Sequence, residues 1–269
     1  MIGNSERIAL IGLGAIGQTV AASLIEESRG AELVGVLVRP SRLDQARKAL
    51  PETVQVATNP HDLLALSPTL VVECAGQGAV RSYAAGVLGA GTRLMIVSTG
   101  ALAEPGFLEG LLEAAAPPAQ ILIPAGAIAG LDGLGALKLA GLNKVTYTST
   151  KPPLAWRGTP AERILDLDAL GTRTVFFEGN AREAALNYPK NANLAATVAL
   201  AGLGFERTTV RLVADPSAFG NAGVIEAEST IGSMSVVMAG RASDNPKTSA
   251  STAFSLLHAI TAQSSVLVI

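Results

Sequence analysis

Apolar and polar positions change rhythm about halfway along the chain. In the first half, short runs rich in valine, isoleucine and leucine alternate with segments whose apolar positions recur every three or four residues. The runs RIALIG, ELVGVLV, VQVAT, TLVVECAG, RLMIVST and QILIPAG predict six strands. Between them the helical rhythm predicts helices over Ala15–Glu27, Ser41–Leu50, Pro60–Leu66, Ala79–Leu88 and Pro105–Ala115. Near-continuous apolar strands alternating with helices are the pattern of a parallel sheet covered on both faces.

After about Gly126 the period shortens. A stretch of small residues, AIAGLDGLGALKLAGL, leads into KVTYTSTKPP, then TVFFEG, a long predicted helix over Ala181–Leu203, and the alternating runs TTVRLVAD, GVIEAEST and SMSVVMAG. Period-two alternation suits a mixed, largely antiparallel sheet with one covered face. Lys247–Ile260 reads as a helix returning to the first domain. The fold class expected is α/β, an N-terminal parallel sheet with a second, mixed α+β domain. Boundaries fall at 1–127 for the first domain, with a C-terminal helical segment 245–269 packed back on it, and 128–244 for the second.

Composition narrows the partners. The chain has 269 residues, 49% of them hydrophobic, which is enough for two cores. A net charge of -2 gives no broad basic face, so nucleic acid is not expected as a partner. The lone Cys74 forms no intrachain disulfide, and the two histidines, His61 and His258, sit in no metal-ligand spacing. Cys74 reads as a buried strand residue. The uncharged stretch 114–131 is interrupted by prolines and 248–269 is heavy in serine and threonine, so no membrane span is expected. The N-terminus lacks the pattern of a signal peptide, and a reducing, cytoplasmic setting is expected.

The chemistry begins at IALIGLGAIGQTVAASLIEE, where Gly12, Gly14 and Gly17 stand in a GxGxxG frame between an apolar strand and a small-residue helix. The first glycine permits a tight turn, the second lets backbone approach a pyrophosphate, and the third lets helix and strand pack closely. With Ala15 and Ile16, these residues form the phosphate loop of a Rossmann fold, with the anion facing a helix N-terminus. The next strand ends not in an acidic residue but in Arg39, 22 positions past Gly17, followed by Ser41 and Arg42. An arginine there can stack on adenine or pair with a 2'-phosphate, so NADP is the expected cofactor with NAD as the alternative. Ala75, Gly76 and Gln77 after the fourth strand, and Ser98, Thr99 and Gly100 after the fifth, are expected at the nicotinamide end.

Two polar clusters remain, YPKNANLAAT from Tyr188 and DNPKTSAST from Asp244. Each sets a lysine beside proline and asparagine near a helix start. Lys190, Asn193, Lys247, Thr248 and Ser249 together offer ammonium, amide and hydroxyl donors suited to a small dicarboxylate, although helix capping is the plainer account of either cluster alone. Taken with GLGAIG, VLVRP, PAGAIAGLDGL and VRLVADP, in that order along nearly the whole chain, the set resembles the L-aspartate dehydrogenase family. The resemblance implies a homodimeric, cytoplasmic enzyme that interconverts L-aspartate and iminosuccinate or oxaloacetate with NAD(P) and can feed pyridine nucleotide biosynthesis. It also implies cofactor contacts at Ala127 and Asn193.

One position departs from that family. Its Asn-x-His pattern follows the ADP motif, and this chain reads ADPSAFGNAGVIEAE, so Asn221 aligns and Gly223 stands at the place of the catalytic histidine. Glycine transfers no proton. The alternatives are an impaired site, another base such as Lys190 or Glu226 or a held water, or altered chemistry on a preformed imine. Glu226, alternating with Ile225 and Ala227, reads first as a strand-face residue. A catalytically silent dinucleotide-binding protein and a dehydrogenase of another small amino, imino or hydroxy acid are the competing functions.

Overall fold

The computed structural model describes residues 5–27, 30–189, 191–241 and 251–267. Contacts divide the chain into two units, one of Met1–Ala101, Gly106–Gly126 and Ala253–Ile269, the other of Leu102–Pro105 and Ala127–Thr252.

The first unit runs β1 (Glu6–Ile11), α1 (Ala15–Glu26), β2 (Ala31–Leu37), α2 (Leu43–Ala49), β3 (Gln55–Ala57), α3 (Pro60–Ala65), β4 (Leu70–Glu73), α4 (Gln77–Gly89), β5 (Arg93–Ile96), α5 (Phe107–Ala114) and β6 (Ile121–Leu122). The strands are all parallel, in the order β3-β2-β1-β4-β5-β6. This is the expected α/β Rossmann sheet, with the order reversing between β1 and β4, where such folds open a crevice for ligand. The apolar runs form strands because both faces are covered: Ile8, Ala9, Leu10, Leu70, Val71 and Val72 are all fully buried. Helix α1 buries Gly17, Val20, Ala21 and Leu24, the i, i+3, i+4, i+7 face of one helix.

The second unit runs α6 (Leu131–Gly141), β7 (Leu142–Lys151), β8 (Thr174–Asn180), α7 (Ala181–Asn187), α8 (Asn193–Ala201), β9 (Thr208–Ala214), β10 (Ala222–Ser229) and β11 (Gly232–Ala239). Its sheet is mixed, in the order β11-β10-β7-β9-β8, with β7 and β9 parallel and the other pairs antiparallel. The small-residue stretch that carried no clear period is α6, entered through Gly130 at φ +79, whose Cβ position lies 2.9 Å from Val236. The long helix expected over Ala181–Leu203 is two helices. A capping box starts the first, Asn180 accepting from the Glu183 N–H at 2.9 Å while the Glu183 carboxylate accepts from the Asn180 N–H at 3.1 Å. Pro189 ends it, because the residue before a proline is driven out of helical geometry, and Tyr188 sits at φ -125, ψ 55.

The last helix is α9 (Ser251–Ala262), and the predicted start at Lys247 falls in 242–250, outside the described residues. Its Ala253, Leu256, Leu257 and Ile260 join the core of the first unit, beside Val20, Leu24 and Val36. Among the described residues no helix is long and apolar enough to cross a membrane.

Gly17 is where helix and strand come closest: a Cβ there would stand 2.4 Å from the Gly12 carbonyl oxygen, whereas one at Gly14 would meet nothing within 4 Å. Gly17→Ala should therefore lower stability by about 1–3 kcal/mol in urea unfolding. Gly14→Ala should change it by less than about 1 kcal/mol.

Candidate active site

The glycine loop leaves β1 through Gly12, whose φ of +96 and whose Cβ position, 2.7 Å from the Ala75 Cβ, exclude any side chain. Its N–H donates to the Leu37 carbonyl at 2.8 Å, tying the loop to the end of β2. Gly14 is the N-cap of α1, with no side chain capping it and no acidic residue in the first turn. The open approach at Gly14, the unblocked helix start carrying Ala15 and Ile16, and its dipole fit a pyrophosphate.

Beside this loop lies a cavity of about 600 Å³ lined by Gly12, Gly14, Arg39, Arg42, Gln45 and Ala75, among others. Among the described residues, no carboxylate lines it. Arg42 donates to the Gln45 side chain at 2.6 Å, which steadies its guanidinium at the rim. Ser41, expected to help Arg39, does not line the cavity; Gln45, four residues on, does.

At the carboxyl ends of β4 and β5 the organising group is Glu73, only 1% exposed. Its Oε1 accepts from the N–H groups of Ala75 at 2.8 Å and Gly76 at 2.6 Å and from the Ser98 hydroxyl at 3.0 Å, and its Oε2 accepts from the Ser98 N–H at 3.0 Å. Burial pushes its pKa up, and the bonds from Ser98, Gly76 and Ala75 pull it back down. One carboxylate thus sets both loops that the sequence placed at the nicotinamide end, with Gly76 at φ +110. Sequence reading passed over Glu73 as part of an apolar strand; a glutamate in the run VVECAG was the available signal. Cys74, beside it, has its thiol pushed up by burial and then by the Glu73 charge, which suits an inert packed residue rather than a nucleophile.

In the second unit, Ala127 is half-buried at the unit's first residue after Gly126, and Asn193 is the first residue of α8, half-buried, its carbonyl accepting from the Thr197 hydroxyl at 3.2 Å. The turn before Asn193 is held by aromatic packing. Tyr188 meets Trp156 at 6.3 Å, Phe176 at 5.8 Å and Phe177 at 5.4 Å, all edge to face. Trp156 is anchored by its indole N–H donating to the Val213 carbonyl at 3.0 Å, and Asn191 donates to the Ala155 carbonyl at 3.3 Å. Lys190, Lys247, Thr248 and Ser249 lie outside the described residues.

Gly223 is buried on β10, opposite Ser149 of β7 and Met238 of β11. The position is closed in: a Cβ there would lie 2.7 Å from Ile128 Cδ1 and 3.1 Å from the Tyr147 hydroxyl. A water in place of an absent side chain therefore finds no space at the Cβ. Glu226, considered as a substitute base, is exposed and pairs with Thr146, so strand alternation turns it to the opposite face from Gly223. On Gly223's own face β7 presents Tyr147, Ser149 and Lys151. Tyr147 is fully buried and bonded to Ser149, and burial pushes its phenol up. Lys151 is 8% exposed, with its Nζ 5.2 Å from the Trp156 ring centre. Burial pulls its pKa down to about 8. Sequence reading missed Lys151, since a lysine before two prolines looks like an exposed strand end.

Comparison with known proteins follows the same lines. A family model described as aspartate dehydrogenase, C-terminal, matches residues 132–263, and one described as homoserine dehydrogenase, NAD binding domain, matches residues 12–122. The chain is 46% identical to the L-aspartate dehydrogenase of Ralstonia nicotianae, covering 94% of this chain and 96% of that one. It is 42% identical to that of Pseudomonas aeruginosa over the same shares. The crystal structure of aspartate dehydrogenase from Thermotoga maritima superposes with a TM-score of 0.74 at 29% identity, covering 98% and 99% of the two chains.

Two outcomes follow from this geometry. Glu73→Ala leaves three backbone N–H groups and a hydroxyl without their acceptor, so unfolding should show a loss of about 3 kcal/mol or more, and cofactor titration should weaken in parallel. Arg39→Ala should weaken NADPH binding about tenfold or more, the size of one lost charge-assisted bond, and NADH binding far less, as read by fluorescence titration.

Proposed function

The chain belongs to the L-aspartate dehydrogenase family of NAD(P)-dependent oxidoreductases, and from that premise we propose that it interconverts L-aspartate with iminosuccinate, and so with oxaloacetate and ammonia, preferring NADP. The observation that carries this reading is likeness from end to end, with 46% identity over 94% of the chain to a relative named for that activity. The cofactor cavity supports it: among the described residues, two arginines and no carboxylate line it, where a 2'-phosphate needs cations and a ribose-binding acid would repel it. When bound, the nicotinamide supplies hydride transfer at C2. The protein's own part is to hold the pyrophosphate at Gly12–Gly17, the adenosine end at Arg39 and Arg42, and the substrate by donors in the second unit, Asn193 and Lys190 among them. Lys247, Thr248 and Ser249 complete the proposed substrate set. We take the active form to be a homodimer, which light scattering checks.

A second reading, a cofactor-binding protein without turnover, is favoured by Gly223 at the place of the family's histidine. The two part on substrate. A dehydrogenase binds aspartate in the presence of cofactor; a silent protein has no use for it.

The deciding measurement is oxidation of NADPH and NADH with oxaloacetate and ammonia, run on this chain and on Gly223→His. Turnover by the unaltered chain is expected. Because Ile128 and Tyr147 crowd the position, Gly223→His should add little by itself and should cost stability of about 1–3 kcal/mol. Cofactor binding without turnover or aspartate binding would support the silent protein instead.

A further inference from the structure

We propose that the ε-amine of Lys151 exchanges the proton with the substrate nitrogen in this reaction, the task that Gly223 leaves without a side chain. The inference rests on the aspartate reading above and deepens it.

In the antiparallel pairing of β7 with β10, Ser149 stands opposite Gly223, and Lys151 is two residues further along the same face at the end of β7. Lys151 therefore projects beside the position from which a residue-223 side chain would have emerged, one strand over. Trp156, against which its Nζ rests, also meets Tyr188, and the turn that begins at Tyr188 delivers Asn193 at the start of α8.

Among the described residues, Lys151 is only 8% exposed and its side chain has no hydrogen-bond or ion-pair partner. Lysine heads are almost never taken out of water unpaired, because desolvating an ammonium costs several kcal/mol. Among the described residues its side chain makes no hydrogen bond or ion pair, and its one contact of note is the face of Trp156. Among the described residues, the groups around it do not supply a counter-charge. On its own strand Tyr147 is bonded to Ser149. From the end of β9, Asp215 donates its N–H to the Lys151 carbonyl at 2.9 Å, but its carboxylate is engaged by Ser217 at 2.6 and 2.8 Å and faces Arg173 at 3.8 Å. From the end of α7, Tyr188 is held in the aromatic cluster, and Asn221, just before β10, and Ala222 and Gly223 at its start carry no charge. An amine kept in this way is free to be neutral near physiological pH, consistent with its lowered pKa of about 8.

The step balances. In the oxidative direction the neutral Lys151 amine accepts one proton from the ammonium of L-aspartate, an N–H bond breaking as an Nζ–H bond forms. The lone pair freed on the substrate nitrogen closes the C=N bond as C2 gives its hydride to NAD(P)+. In the reductive direction the Lys151 ammonium returns that proton to the nitrogen. A permanently charged side chain cannot take the first role, which separates proton transfer from simple attraction of a carboxylate.

The test compares the unaltered chain with Lys151→Met and Lys151→Arg in aspartate oxidation from pH 6 to 10, with NADPH and aspartate binding measured alongside. Expected are a wild-type kcat that rises with pH through about 8 and then levels, and a loss of about 100-fold or more in kcat in both variants. NADPH binding should be unchanged, and Lys151→Ala should be partly restored by added ethylamine. If Lys151→Arg keeps kcat within about threefold, or if KM rises while kcat holds, Lys151 binds a carboxylate and the proposal is overturned. An active chain in which Lys151→Met is also active sinks this role alone. A wild-type chain that binds cofactor but never turns over aspartate sinks the aspartate reading and this role with it.

Discussion

The buried carboxylate of Glu73 fixes the two loops at the carboxyl ends of β4 and β5. Placing a charge at 1% exposure is costly, and the cost is offset because all its bonds come from the ends of two adjacent strands. The consequence is geometric: the chain after β4 must turn at once, through Gly76 at φ +110, and the chain after β5 must present the Ser98 N–H toward β4. Ala75, held by the same carboxylate, is the residue against which Gly12 closes. Phosphate loop, β4 loop and β5 loop are thereby one construction rather than three.

The second unit solves a similar problem with packing in place of charge. Trp156, Phe176, Phe177 and Tyr188 form an edge-to-face cluster that fixes the break between α7 and α8, and the break is what presents Asn193 at a helix start. The same indole is the surface against which the Lys151 amine rests. Strand β7, at the centre of the sheet, carries Tyr147, Ser149 and Lys151 on the face that β10 leaves bare at Gly223. Ile128 and Tyr147 close on that glycine and leave no room for a Cβ.

Much of the fold was legible because its signals are local. Apolar runs and helical periods located the six parallel strands, and GxGxxG located the tight turn between β1 and α1. Arg39 was legible from its place at the end of β2, and it does line the cavity. Where the reading failed, the local signal was weak or belonged to another element. Helix α6 was hidden by its small residues, which give little contrast between faces. The Pro189 break was present in the sequence but was overridden by the strong helical period on either side.

The sequence by itself therefore determined the layered first unit, the glycine loop, the arginine in place of an acid at the end of β2 and the family likeness. All of these are written in spacing over a few tens of residues. Only the tertiary structure decided that Glu73 is a buried clasp, that Gly223 has no open space for a Cβ, that Glu226 faces away, and that Lys151, without a partner among the described residues, lies on the face of the bare glycine. Those properties arise from strand pairing between segments more than seventy positions apart, Ser149 against Gly223, and from burial that removes water from a charge. Neither pairing nor desolvation is carried by any short stretch of chain.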